Sequence, residues 1–506
     1  MMSSEDFMNE KASLWERVWI PRFRALKKPD AYLYILAGVL TMIGLWLPPL
    51  NFLFYIGLMY PLYRSVQRQL TDYGLFYYFI PYSLVLGIGV WNEIFPWYTG
   101  ILLALTLPDL FARLGMKGRQ CFKSVIGDYI ALPLLIYLFD FGMQKLPLLR
   151  QIHMIPLLSV IYNHTAVLST ASFFGPHLTL FFVLLFLSIL SALVFDILKN
   201  LPGRNKVHMA IILTGLLILF IIPNFVGRSQ PKASKPVTVA AVQGMVLPTG
   251  YFEQDYEALS ANLLEGYNKI IGQEKADVFV FPESLTGMYD SSKDFDQPFL
   301  QSIRNYAKKK NAYIACWVNE SNYRTESEDS KYSSCIFLNP EVVVGVTRKR
   351  YLVPFSEDSR FQPGIDFEVY ETPYGRMGIS ICYDTNFDTV ERLKKNGAQM
   401  ILAPFNDTGF GEIYKNIHRY YPVIKAISCN VPVVQANTDG ISSLILSNGY
   451  VVKELGSGQT GIISHTFDLS DSFSGYMRFG RIIETVVFVL AILLLVYRRK
   501  NKATDQ

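Results

Sequence analysis

Gly378-Ile379-Ser380-Ile381-Cys382-Tyr383-Asp384 reads as a strand-like apolar run that delivers a cysteine at its end, and the rest of the chain is best read outward from it. Two similar runs lie upstream. Ala276-Asp277-Val278-Phe279-Val280-Phe281 leads into Pro282-Glu283, and the strand-like segment 342–348 leads into Lys349. Short runs rich in β-branched and aromatic residues, bounded by turn formers, are strand signals. Others cover 237–242, 312–318, 333–338, Met377–Cys382, Met400–Pro404, Val431–Ala436 and Ser442–Leu446, with helical spacing over 255–272, 297–310, 387–395 and 411–428. Strands alternating with helices predict an α/β domain whose reactive residues sit at strand ends.

One cysteine, one acid and one lysine at such ends form the inventory of a thiol acyl-transfer site. A thiol attacks a carbonyl as thiolate and is mostly protonated when unassisted. A carboxylate can take that proton if a low-dielectric pocket raises its pKa, and Glu283, after an apolar strand and a proline, suits the task. The tetrahedral oxyanion needs a fixed positive charge and backbone N–H groups, which Lys349 and the amide after Cys382 can supply. Each residue also has a plain structural reading. Cys382 can be a buried packing residue, Glu283 a loop acid or helix cap, and Lys349 part of a solvated patch, Arg348-Lys349-Arg350.

The chain has 506 residues, 51% of them hydrophobic, which is too long for one ordinary domain and more apolar than a soluble protein. The apolar excess lies before Val226 and again near the C-terminus. Candidate membrane spans are 31–48, 50–63, 75–95, 97–112, 123–140, 178–198, 207–225 and 481–497. Basic residues fall between them in alternation: the N-terminal segment, Arg64 and Arg68, the group Arg113 to Lys123, the group Lys199 to Lys206, and Arg498 to Lys502. The opposite turns, at Pro48-Pro49 and Asn92-Glu93, lack Lys and Arg. By the positive-inside rule both termini are cytoplasmic and 226–480 lies outside. The predicted organisation is a cytoplasmic segment 1–30, a helical bundle of about seven spans over 31–225, a linker 226–236, a globular domain 237–470, a C-terminal span 481–497 and a tail 498–506. Residues 141–177 read as an external loop along the bilayer surface, or with 152–170 as another span. Asp109, Asp128 and Glu484, close to span ends, read as interfacial acids.

A net charge of +5 is small for this length and speaks to topology rather than nucleic acid. No cleavable signal peptide is evident. Five cysteines without Cys-x-x-Cys spacing or a nearby His cluster argue against a metal site. Cys316 and Cys335, on neighbouring strand-like runs, read either as a disulfide of an exported domain or as two small buried thiols.

Phe281-Pro282-Glu283-Ser284, the run Arg348 to Glu357 and Ile381-Cys382-Tyr383-Asp384 resemble the three signatures of the nitrilase (carbon-nitrogen hydrolase) superfamily. The middle segment, with Leu352-Val353-Pro354-Phe355 before Ser356-Glu357, is similar to the apolipoprotein N-acyltransferase branch. The resemblance covers nearly the whole chain. It implies an αββα sandwich on a membrane-helix bundle and a Glu-Lys-Cys triad without cofactor or metal: Glu283 as base, Lys349 as oxyanion stabiliser, Cys382 as nucleophile. It also implies supporting or substrate-pocket roles for Glu357, Tyr383, Asp384 and Asn406, the last within Asn406-Asp407, which resembles the family's Asn-Asp after the next strand. Three positions depart from the family's pattern, with Asp384 in place of Glu, Gly409 in place of a large aromatic and Gln435 in place of Arg; they cast doubt on the substrate more than on the triad.

The reaction the resemblance implies is transfer of a fatty acyl group from a membrane phospholipid, through a cysteine thioester, to the α-amine of a diacylglyceryl cysteine on a lipoprotein. The expected setting is a multi-pass monomer in a bacterial inner membrane with its catalytic domain on the periplasmic side. The alternatives are a membrane-tethered amidase or nitrilase, in which water replaces the amine, and a non-catalytic lipid or lipoprotein binder. Tyr351, Leu352, Phe355 and Phe361 read as lid material or as ordinary packing.

Overall fold

Val237–Gln243 (β1) is a run of β-branched and small residues buried almost throughout, as a strand with neighbours on both edges must be. This and all later description concern a computed structural model that describes residues 25–84, 116, 125–145, 157–162, 164–199, 206–226, 236–244, 266–283, 288–290, 298–321, 331–354 and 356–504. Further strands are β2 (Val278–Val280), β3 (Met288–Asp290), β4 (Tyr313–Ser321), β5 (Lys331–Leu338), β6 (Val343–Arg348), β7 (Val369–Thr372), β8 (Gly375–Ile379), β9 (Met400–Phe405), β10 (Val433–Asn437), β11 (Ser442–Ile445), β12 (Val451–Leu455) and β13 (Gly461–Phe467).

They form two sheets. The first runs β13-β1-β2-β4-β5-β6, with β3 also paired to β4, and the second runs β12-β11-β10-β9-β8-β7. The sheets face each other through β1 and β10 and through β2 and β9. Helix Pro298–Lys310 lays Leu300, Ile303 and Ala307 against Phe279, Ile314 and Ile336 on the outer side of the first sheet. Helices Thr389–Lys395 and Tyr420–Cys429 pack on the second. The order is αββα, a nitrilase-like sandwich. Central pairs are parallel (β1 with β2, β2 with β4, β8 with β9, β9 with β10), so several strand ends point the same way and can share a site.

Differences from the sequence reading have local causes. The strand expected over Met377–Cys382 ends at Ile379, and Cys382–Asn386 is a 3₁₀ turn whose Asp384 N–H donates to the Ile381 carbonyl. Helix 411–428 divides into Glu412–His418 and Tyr420–Cys429. β7, β12 and β13 went unread because their alternating, half-exposed residues carry little apolar signal. Cys316 and Cys335 are free buried thiols, and burial pushes that of Cys316 up to about 12.

The N-terminal helices are Pro29–Trp46, Phe52–Val66, Asp72–Leu84, Val125–Lys145, Ala171–Leu198 and Lys206–Val226, and Arg481–Thr504 closes the chain. Ala171–Leu198 and Lys206–Phe225 are long and apolar enough to cross a membrane. The expected span 97–112 lies outside the described residues, and 75–95 is described only to Leu84. The chain divides into two compact units. One holds the described residues up to Met143, Leu180–Leu217 and Val486 onward; the other holds Gln144–Thr179 and Ile218–Thr485, with both sheets.

In the second unit, the helix expected from 178 begins at Ala171, because Gly175 (φ +82°) and Pro176 break it without ending it. Glu484 accepts the N–H of His177 at 3.0 Å and of Leu178 at 3.4 Å, and the Tyr476 hydroxyl at 3.2 Å. A carboxylate is thus placed where a helix start exposes unpaired donors. A side chain at 175 would strike both Tyr476 and Glu484, so glycine is required there by shape as well as by φ.

Candidate active site

Three strand ends and one loop place the site. Glu283 follows β2, and its N–H donates to the carbonyl of Phe405, the last residue of β9, at 3.1 Å. Lys349 follows β6, and its N–H donates to the Ser333 carbonyl at 2.8 Å. Cys382 follows β8 with φ +45°, in the left-handed region that non-glycine residues rarely occupy. Such strain clusters at functional sites.

The structure brings together four of the residues singled out by sequence. Lys349 Nζ is 1% exposed and lies 2.8 Å from Glu283 Oε1 and 2.7 Å from Glu357 Oε1. Those bonds take two of the ammonium's three donors. Glu357 Oε2 accepts the Val353 N–H at 2.8 Å, which folds the loop back over the lysine. Glu283 also accepts from the Cys382 thiol and, at 3.5 Å, from Ser333, whose hydroxyl is itself held by the Trp317 indole at 2.8 Å.

Burial pushes the Glu283 carboxyl up to about 7, even against the pull of Lys349. Burial draws the Lys349 ammonium down, but Glu283 and Glu357 more than offset it and hold the group well above its ordinary value. Burial and then Glu283 push the Cys382 thiol well up, with Lys349 opposing. The resting site is therefore a protonated thiol beside an acid poised to titrate near neutrality and a permanent cation.

The other sequence-predicted residues are placed as follows. Tyr383 is buried with its ring edge-on to Phe387 at 4.9 Å. Asp384 is fully buried and accepts the backbone N–H groups of Arg350 at 2.9 Å and Tyr351 at 2.7 Å, next to Lys349. Its other oxygen lies 3.5 Å from Arg350 Nη1. Asp384 thus holds the loop that carries the lysine. Asn406 contributes its main-chain N–H to the Cys382 sulfur, while its side chain accepts the Thr408 N–H at 3.0 Å. Gly409 has φ +87° and open space where a Cβ would stand, so its backbone rather than crowding favours glycine there. Gln435 is buried and accepts from Ser443 at 2.9 Å. Tyr351 packs its ring, tilted, against Phe387 at 4.3 Å and donates to Asp388 at 2.6 Å. Phe355 lies outside the described residues.

Sequence reasoning named Asp407 only as half of the pair Asn406-Asp407 and missed His418. Both are buried, and their ligand atoms and the Cys382 sulfur lie within 4.8 Å of one another. Such a trio can be asked to hold a metal. His418 Nδ1 and Asp407 Oδ1 are only 2.6 Å apart, however. Two ligands on tetrahedral zinc, with bonds near 2.0–2.1 Å, stand about 3.3 Å apart. The contact is a hydrogen bond.

Residues 238–473 match the carbon-nitrogen hydrolase family. A probable nitrilase of Schizosaccharomyces pombe is 30% identical over 215 residues, covering 39% of this chain and 77% of that protein. The chain belongs to the carbon-nitrogen hydrolase (nitrilase) family. Within it, an apolipoprotein N-acyltransferase of Geobacter metallireducens is 23% identical over 529 residues, covering 96% of this chain and 99% of that protein. The apolipoprotein N-acyltransferase of Pasteurella multocida is 26% identical over 354 residues, covering 62% and 65%.

Proposed function

We propose that this chain is an apolipoprotein N-acyltransferase that moves a fatty acyl group from a membrane phospholipid to the α-amine of a lipoprotein's N-terminal S-diacylglyceryl cysteine. The observation that carries the reading is the extent of likeness. The Geobacter transferase matches 96% of the chain, helices included, whereas the yeast nitrilase matches 39%. A hydrolase of small amides has no use for the remainder.

Cys382 is the nucleophile, Glu283 the general base and Lys349 the oxyanion stabiliser. Sγ attacks the ester carbonyl carbon as the thiol proton passes to Glu283. The third Lys349 donor, which has no partner among the described residues, meets the developing oxyanion. The C–O bond breaks, and the lysophospholipid alkoxide leaves with the proton from Glu283. The lipoprotein amine then attacks the thioester carbon and gives its proton to Glu283. The C–S bond breaks, and the thiolate recovers that proton.

The helices supply a reason for the membrane. Helix Lys206–Val226 exposes Val207, Ile211, Ile212, Leu217, Ile218, Ile221, Ile222 and Phe225, and Arg481–Thr504 exposes Ile482, Val486, Val489, Leu490 and Leu493. Water penalises such faces by ~25 cal/mol per Å², and lipid does not. We read residues 31–225 as about seven spans and 481–497 as one more, in the inner membrane of a bacterium. The globular domain lies on the periplasmic side, and the protein acts as a monomer taking both lipid substrates sideways from the bilayer.

Intact-protein mass spectrometry tests the reading. Incubation with phospholipid is expected to add one acyl mass on Cys382, and a diacylated lipopeptide is expected to discharge it as a triacylated peptide. Discharge to water alone makes the chain a membrane-tethered amidase or nitrilase, and no adduct makes it a lipid or lipoprotein binder.

The Glu283 environment adds a pH dependence. The base works only ionised, so the acylation rate is expected to fall tenfold per pH unit below about 7 and to level off above it. Single-turnover acylation from pH 5.5 to 9 reads this limb, and Glu283→Gln removes it along with most of the rate. A rate that rises as the pH falls excludes Glu283 as base.

A further inference from the structure

Residues 405–407 touch both working groups of the site in succession. The Phe405 carbonyl accepts the Glu283 N–H, the Asn406 backbone draws the Cys382 thiol down by hydrogen bonding, and ligand atoms of Asp407 and His418 lie within 4.8 Å of the Cys382 sulfur. Asp407, next in line, is wholly buried and held from two other elements. Its Oδ1 lies 2.6 Å from His418 Nδ1, and its Oδ2 accepts Asn437 Nδ2 at 2.7 Å. Its N–H donates to Asn437 Oδ1 at 3.1 Å, and the same oxygen accepts the Gly440 N–H at 3.0 Å. His418 is itself clamped, with its ring 4.7 Å from Phe405 and 5.1 Å from Tyr414.

A buried carboxylate beside a sulfur is costly to a nucleophile, since it opposes the thiolate. Among the described groups, Cys382 feels Glu283 and Asp407 in that sense and Lys349 in the other, with Tyr414 close to Asp407 and Cys382. Such a residue makes sense at the nucleophile only if its charge is engaged elsewhere and its backbone is needed where it stands. Both conditions hold here.

We propose that Asp407 and His418 form a positioning pair that sets the reactivity of Cys382, by fixing the Asn406 N–H on the sulfur and engaging the Asp407 carboxylate. This rests on the reading of Cys382 as the nucleophile, but it concerns the thiol itself and is measurable without any acyl substrate. The two amides of similar size separate position from mere packing. Asn places an N–H where His Nδ1 stands, and Gln places it nearer Nε2.

The experiment measures iodoacetamide alkylation of the Cys382 peptide in the full chain in detergent, from pH 6 to 10, with thermal melting alongside. His418→Asn is expected to alkylate within about threefold of the parent. His418→Gln is expected to alkylate about tenfold more slowly near pH 7.5, with its rate limb moved up about one pH unit, the equivalence of one pKa unit with tenfold in thiolate. Equal rates in all three proteins overturn the proposal, as does equal loss in both variants, which marks His418 as packing only. If the Gln protein does not fold, Asn437→Ser, which removes the second donor to Asp407, takes its place with the same expectation. A Cys382→Ala protein that keeps the fast-reacting thiol shows that the nucleophile assignment, not the pair, is at fault.

Discussion

Cys382→Ser is expected to keep the protein folded and to cut acyl-enzyme formation and lipopeptide acylation by at least about 10⁴-fold, the scale on which removing a covalent nucleophile acts. The exchange is one atom at a position where the backbone is already committed to φ +45°, and a hydroxyl can take the place of the thiol as donor to Glu283. What changes is chemistry. An alcohol is far harder to ionise than a thiol, and Glu283, at about 7, is a base too weak to make up the difference. Intact mass after incubation with phospholipid reads the loss, and a melting curve reads the fold. A variant that still acylates lipopeptide at more than a few per cent of the parent rate means that the acyl group travels by another route.

How much of this was legible beforehand depends on where the determining contacts come from. Glu283, Lys349 and Cys382 each stand just beyond an apolar strand, and local pattern finds strand ends well. The sandwich followed from the alternation of strands and helices for the same reason. Asp384 was legible as a departure but not in its role, because the groups it holds, the N–H of Arg350 and of Tyr351, lie more than thirty residues away. Asp407 was legible as half of an Asn-Asp pair but not in its contacts, and His418 escaped entirely. His418 looks like any residue of an amphipathic helix and Asn437 like the end of a strand; the helix Glu412–His418 returns the first to the Asp407 carboxylate, and the parallel pairing of β9 with β10 brings the second. Gly409 shows the converse: a missing aromatic suggested a changed pocket, whereas its φ of +87° gives a backbone reason for the same letter.

Lys349→Met is expected to carry a double penalty that no other single change at the site shares. Methionine keeps the length of the side chain and loses the ammonium, so Glu283 and Glu357 face the vacated position with no cation between them. Breaking a buried pair by removing one partner costs about 3–5 kcal/mol, and the melting temperature should fall accordingly. The two carboxylates then share a proton, as neighbouring buried acids do, and Glu283 is pushed further above its value of about 7. At neutral pH the base is protonated and the oxyanion unsupported, and the acylation rate is expected to drop by at least about 10³-fold. The acidic limb of the rate should move upward at the same time. Lys349→Met with Glu357→Gln separates the two effects. Removing one of the opposed charges restores much of the melting temperature but supplies no donor to the oxyanion, so the rate should stay low. Recovery of both together would make Lys349 a structural counter-ion and move the oxyanion site elsewhere, and a Lys349→Met protein within tenfold of the parent rate would do so on its own.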